Sequence, residues 1–364
     1  MREKIEFCAT ADGVKLAYAV SGDGPPLVFS ATWMTHLAAQ WQSLAWRPWL
    51  EAFSTEYRML RYDSRGCGLS DRDPGELSFE AWVCDFKTVI DAAGFRQFSI
   101  LATCQGGAVA MEYAARHPER VRKLVLFGAC PLGRRSWNDR PREVEKTRVL
   151  ADLARLGWAQ ENHLLLQLWA HAYQPGGTIE HLRSWSEQQR TATSAETAAR
   201  LLEIGWNVDV RAAARRIKCP VLIIHPARDA VVPIEVGRSL VGLIPGSRFI
   251  EIDSDNHMPL ADEPAWPRLV SAVRSFLGEP APAVAGGRAL ALDALTPRER
   301  AVLEGVAAGL DNAELAASLG VSEKTVRNHI TRVFDKTSVK HRYEAIVRAR
   351  EAGLGLDSRP TRMR

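Results

Sequence analysis

A chain of 364 residues, 46% hydrophobic and 25% charged with Gly and Pro at ordinary frequencies, belongs with globular proteins, not disordered or fibrous ones, and has room for two or three folded units. A net charge of +4 names no partner unless it is concentrated somewhere. No stretch approaches the roughly 18 consecutive apolar residues of a membrane span, and the opening MREKIEFCATADGVK carries no apolar signal-peptide region.

In chain order, the runs IEFCAT, VKLAYAVSG, PPLVFSA, YRMLRYD, FSILAT, VRKLVLFGA, CPVLIIHP and SRFIEID read as strands, the later ones continuous and apolar in the manner of buried parallel strands. Helical stretches such as FEAWVCDFKTVIDAAG and GGAVAMEYAARHP separate them, which predicts an α/β layered sheet over residues 1–278. Residues 130–215 interrupt this alternation with mostly helical sequence containing five tryptophans, an insertion placed where a cap over the carboxyl edge of the sheet would sit. Cys8, Cys67, Cys84, Cys104, Cys130 and Cys219 stand singly, without C-x-x-C or zinc-finger spacing. They point to reduced thiols in a cytoplasm, with no structural metal and no cofactor expected.

One junction carries chemistry. Cys104 follows the strand FSILAT and precedes the helix GGAVAMEYAAR, with the small residues Ala102 and Gly106 at −2 and +2, as a nucleophile elbow requires. A helix N-terminus favours thiolate, the reactive form of the thiol. Asp229, after VLIIHPAR, and His257, after FIEIDSDN, follow in the order nucleophile, acid, base, so Cys104, Asp229 and His257 form a candidate catalytic set. Backbone N–H groups of Trp33 and Gln105 are the candidate oxyanion donors. The alternative for Cys104 is an inert buried thiol. His225 and Asp63 read as structural, and Trp33, Trp41, Trp137 and Trp169 as core or cap packing, a subset lining an apolar ligand cavity.

Taken together, PPLVFSATWM, RYDSRGCGLSDR, TCQGG, PARDAVVP and DSDNHMPLADEPAW resemble an α/β-hydrolase with a helical cap, most closely the hydrolase-like domains fused to bacterial regulatory modules. The resemblance implies the α/β-hydrolase fold. Against that family's pattern, Ala31-Thr32 stand at the oxyanion His-Gly pair, and Ala102 and Cys104 replace the usual Gly and Ser.

GEPAPAVAGGRALA has no periodicity and reads as a linker, residues 279–292, to a second domain over 293–364. Thr296, Pro297 and Glu299 make a capping box with Pro at the first helical position, opening a helix to about Gly309. Asn312 is the expected cap of a second helix ending at Gly320, and Ser322 of a third after the Gly320-Val321 turn. The result is a helix-turn-helix. Residues 324–350 hold eight Lys/Arg against two acids, while residues 293–323 hold two against six, so the modest net charge hides a polarised segment.

On the third helix Val326, Ile330, Val333 and Phe334 share one face. That leaves Lys324, Thr325, Arg327, Asn328 and Thr331 outward, with Arg327 and Asn328 suited to reading base edges. Arg332, Lys336, Lys340 and Arg342, with Lys324, suit phosphates. LTPRER and GLDNAELAASLGVSEKTVRNH are similar to the LuxR-type helix-turn-helix, which implies an all-α four-helix domain that pairs as a homodimer on double-stranded DNA; Thr337-Ser338 replace that family's Leu-Gly. The sequence thus predicts a DNA-binding transcriptional regulator whose hydrolase-like part senses a small, mostly apolar ligand. The alternative is an active Cys-His-Asp ester or lactone hydrolase fused to a DNA-binding domain.

Overall fold

The structure, a computed structural model, describes residues 3–30, 33–136, 141–158, 164–278, 292, 295–337, 339, 342, 345, 346, 349, 354 and 355. It divides into two compact units, residues 1–237 with 250–278 and residues 238–249 with 279–364. The expected linker, apart from Leu292, lies outside the described residues, as do Ala31, Thr32, Trp137, Ser338 and Lys340. No helix among the described residues is long and apolar enough to cross a membrane.

All eight expected strands form: β1 (Ile5–Ala9), β2 (Lys15–Ser21), β3 (Pro26–Ser30), β4 (Arg58–Tyr62), β5 (Phe98–Thr103), β6 (Val121–Phe127), β7 (Val221–Pro226) and β8 (Arg248–Ile252). They make one sheet in the order β1-β2-β4-β3-β5-β6-β7-β8. β1 and β2 pair antiparallel, whereas β3 lies parallel between β4 and β5. The chain therefore leaves β3 in one direction for β4 and returns on its other side for β5. Such a reversal opens a crevice at the carboxyl ends of the strands, where α/β sheets bind ligands.

Helices α1 (Leu37–Gln40), α2 (Arg47–Ser54), α3 (Phe79–Ala92) and α4 (Gly106–Arg116) lie between the strands up to β6. Trp49 of α2 is fully buried, edge-on to Phe127 of β6 at 5.1 Å and to Trp266 at 5.3 Å. Burying each such side chain contributes roughly 1.5–3 kcal/mol. The turn RYDSRG is braced from within. Buried Asp63 accepts from the backbone N–H groups of Leu37 and Leu69, and Arg65 makes two 2.7 Å bonds to the buried Asp85. Gly68, at φ 56°, has no room for a side chain, because a Cβ there would lie 2.1 Å from Asp63 Oδ2.

Between β6 and β7 the chain forms α5 (Pro141–Gly157), α6 (Leu164–Tyr173), α7 (Ile179–Ala192), α8 (Ala195–Asn207) and the short α9 (Arg211–Ala214). Thr178 and Ser194 cap α7 and α8 through their hydroxyls. The two strands of the neck join by Gly133 N–H to Val208 O at 2.7 Å and Val210 N–H to Pro131 O at 2.9 Å. α10 (Ile234–Leu243) precedes β8, and α11 (Ala265–Gly278) follows it.

The C-terminal helices are α12 (Pro297–Ala307), α13 (Asn312–Leu319) and α14 (Glu323–Thr337). The Thr296–Glu299 capping box opens α12 as expected. α13 differs: its cap is Asp311, one residue earlier than Asn312, in a second capping box with Glu314. The acidic pair wins because Asp311 Oδ1 takes the Glu314 N–H while the Glu314 carboxylate returns to the Asp311 N–H, satisfying two orphan donors at once. Gly320, at φ 65°, ends the helix in the left-handed region. Most of the expected fourth helix lies outside the described residues; Ala345, Ile346 and Ala349 within it are helical and buried.

Candidate functional site

Adjacent parallel strands bring the candidate residues to one edge. Ser30 of β3 pairs with Ala102 of β5, so Trp33 and Cys104, just beyond these strand ends, emerge side by side; β6 and β7 then deliver Cys130 and Asp229 alongside. Cys104 has φ 50°, the single non-glycine residue at positive φ among the described residues. A side chain in that region is strained, and the strain belongs to an elbow that lifts the sulfur out of the turn. Two bonds lock the turn, Cys104 N–H to Phe127 O at 2.9 Å and Gly107 N–H to Cys104 O at 3.1 Å. Gly107 is obligatory, since a Cβ there would stand 2.5 Å from that of Ala129.

The acid and base meet as the chain order predicts. His257 Nδ1 donates to Asp229 Oδ2 at 2.6 Å, and both side chains are fully buried. Asp229 Oδ1 accepts from the N–H groups of Val231 and Val232 at 2.8 and 2.9 Å. Burial disfavours the Asp229 charge, but His257 and His225 more than offset it and hold the carboxyl well below the usual range. For His257, burial likewise opposes protonation, yet the charges of Asp229 and Cys104 push its pKa up to about 10. His257 Nε2 is buried with no hydrogen-bond partner. It is therefore available to the sulfur and to whatever reacts there. His225 donates from Nε2 to Val232 O at 2.8 Å and approaches Asp229 at 3.4 Å, bracing the acid's turn.

Above this edge lies a cavity of about 240 Å³. Cys104, Gln105 and Trp33 form its floor, and the cap supplies Leu150, Leu153, Leu168, Trp169, Tyr173, Leu202 and Trp206. Trp33 stacks on Trp169 at 5.5 Å and meets Trp158 edge-on at 5.8 Å, so Trp169 of the cap closes on the floor of this space. Trp41 instead donates to Glu3 at 2.8 Å, away from the cavity lining. Cys130, Arg134 and Tyr173, none of them a site candidate from the sequence, also line the cavity. Their membership of the inserted segment was one hint, and Cys130 also stands three residues beyond β6. Among the described residues no group of three or more His, Cys, Asp or Glu could hold a metal ion.

On α14 the two faces separate. Val326 and Val333 are buried, while Lys324, Arg327, Asn328, Thr331 and Arg332 are exposed. Thr325 is half-buried against its cap, its hydroxyl 2.9 Å from that of Ser322. Two cations placed on phosphates by the sequence reading have internal partners: Lys336 bridges Glu299 at 2.7 Å, and Arg342 donates to Asn312 Oδ1 at 3.0 Å and Leu310 O at 2.5 Å.

The sheet order, the strained elbow and the capped cavity define an α/β-hydrolase-fold protein with a cysteine at the nucleophile position. The chain belongs to the alpha/beta hydrolase fold family, whose model matches residues 37–264, and it also carries a helix-turn-helix domain of the luxR family of bacterial regulatory proteins, matched over residues 293–349. It is 25% identical over 271 residues to the pyrrolizixenacetamide deacetylase of Xenorhabdus hominickii, covering 72% of this chain and 94% of that one. Identity is 26% over 276 residues to 3-oxoadipate enol-lactonase 2 of Acinetobacter baylyi, again 72% and 94%. Among solved structures it is similar to the esterase RhEst1 from Rhodococcus sp. ECU1013, with a TM-score of 0.62 at 25% identity over 76% of this chain and 98% of that chain.

Proposed function

We propose that the protein is a DNA-binding transcriptional regulator that senses a small, mostly apolar carbonyl compound in the cavity over Cys104. The observation that carries this reading is the combination on one chain of a buried Asp229–His257 pair at 2.6 Å, a cysteine elbow opening into an apolar cavity, and a LuxR-type helix-turn-helix. Ligand binding acts on DNA only if the ligand prefers the DNA-competent or the incompetent state. Lys324, Thr325, Arg327, Asn328, Thr331 and Arg332 make up the DNA face, with Arg327 and Asn328 reading bases. The regulator acts as a homodimer on two half-sites, and the six free cysteines fit a reducing cytoplasm.

The 2.6 Å acid–base bond also favours a second reading, covalent chemistry at Cys104. The relatives include a deacetylase, an enol-lactonase and an esterase. The Cys104 thiolate attacks a carbonyl carbon and the electron pair moves onto oxygen, held by the N–H groups of Trp33 and Gln105. The His257 imidazolium gives its proton to the leaving group as the thioester forms. Neutral His257 then takes a proton from water, which attacks the thioester and returns the thiolate–imidazolium pair with Asp229 still ionised. With Cys104 acylated, this same arrangement is a covalently marked sensor.

Wild type and Cys104→Ala, each mixed with p-nitrophenyl butyrate, separate the readings by nitrophenol release, intact mass and binding to DNA selected from a random pool. A Cys104-dependent acyl adduct that shifts DNA affinity supports the sensor. Steady turnover lost in Cys104→Ala, with DNA affinity indifferent to ester, supports the hydrolase.

A further inference from the structure

α6 ends at Tyr173, and the chain around and beyond it is stitched to the loop bearing His257. Met258 N–H donates to Tyr173 O at 3.3 Å, Gln174 Nε2 to Met258 O at 3.1 Å, and Gly176 N–H to Asn256 Oδ1 at 2.9 Å. Gln174 is fully buried, so its bond is shielded from competing water. On its other side the loop is tied to Glu263, through Ser254 Oγ at 2.9 Å and Leu260 N–H at 2.7 Å. Held this way, the Tyr173 ring stands edge-on to the imidazole, with centroids 5.1 Å apart at 87°. The imidazole is also closely approached by the Gly128 backbone, where a Cβ would lie 2.8 Å from Cε1. Rotation of the ring away from Asp229 is thereby opposed by packing.

We propose that Tyr173 is a positioning residue for the chemistry of Cys104: its ring keeps His257 aligned beside Asp229, at the edge of the cavity that Tyr173 and Cys104 both line. The inference rests on Cys104 being the nucleophile. Burial and the charge of Cys104 both disfavour ionisation of the Tyr173 phenol and raise its pKa well above the ordinary range, so it stays neutral beside the imidazole. Among the described residues, the other titratable or charged groups around the sulfur are His257 and Asp229, Arg134 on the cap side, and Cys130, which burial pushes up to about 12 and keeps protonated. α6 also gives Leu168, Trp169 and Ala172 to the cavity wall. A ligand pressing on that wall therefore bears on the helix that holds the catalytic imidazole.

The test compares full-length wild type, Tyr173→Phe and Tyr173→Ala by two reactions at Cys104, acylation by p-nitrophenyl acetate and alkylation by iodoacetamide across pH. Tyr173→Ala should slow acylation by about tenfold or more, because a misaligned base costs that much. Tyr173→Phe, which keeps the ring against the imidazole, should restore most of the acylation rate. Wild-type rates and midpoints in Tyr173→Ala would overturn the proposal. So would equal slowing in both variants with unchanged midpoints and lowered Tm, which reduces Tyr173 to packing. If wild type is alkylated at Cys104 but never acylated, the nucleophile reading fails, and the alkylation midpoints still decide the role of Tyr173.

Discussion

His257 is the residue on which the site's electrostatics converge, and its shift fixes a pH dependence. Its folded pKa of about 10 lies above the ordinary 6.5. The stability it contributes is therefore complete below pH 6.5 and is lost as the pH rises toward 10. Wild type should lose Tm steadily across that window by scanning calorimetry, and His257→Gln should not show the decline. Asp229→Asn removes the main charge that raises the imidazole, so its loss should be displaced to lower pH. The depressed carboxyl of Asp229 contributes in the opposite, acidic direction. The meeting of Asp229 with His257 was legible because each residue directly follows a strand, and parallel strands deliver their ends to one edge. Cys130, three residues beyond β6, obeys the same strand-end rule; Tyr173 and Arg134 were not legible, because their approach to the cavity depends on how the cap folds back, which no local periodicity encodes.

At the scale of elements, continuous apolar runs made the inner parallel strands β3 to β7 legible, since a buried parallel strand leaves few other readings for such sequence; β1 and β8 rested on half-exposed runs, and β2 pairs antiparallel with β1. Helix ends were less secure. Asn312 is a good cap residue, but Asp311 and Glu314 cap each other reciprocally and start α13 one residue earlier. Asp311→Ala should thus cost about 0.5–2 kcal/mol in unfolding of the C-terminal unit, with Asn312→Ala costing less. In the sheet unit, Trp49→Ala removes a fully buried ring from between β6 and α11 and should cost about 3–5 kcal/mol in denaturant unfolding. Two of the cations expected on phosphates also hold the domain together: Lys336 ties α14 to Glu299 of α12, and Arg342 holds the loop before α13.

For the whole molecule, a net charge of +4 conceals a C-terminal helix face bearing Lys324, Arg327 and Arg332, and a separate unit whose tryptophans help enclose a cavity. Arg332→Ala should weaken DNA binding about equally on all sequences and lower the salt slope by roughly one. Arg327→Ala should cost about 1–3 kcal/mol and relax preference at one base position. The two families were readable because many short motifs occur in order; apolar cavity walls specify the size and polarity of an occupant more than its identity. If occupancy at Cys104 governs DNA binding, covalent filling of the site must change it. The most direct measurement is the DNA affinity of full-length protein before and after stoichiometric acylation by p-nitrophenyl butyrate, with Cys104→Ala treated in parallel. Acylation should change the affinity of wild type and leave that of Cys104→Ala as it was. Identical affinities for acylated and unmodified wild type would contradict it.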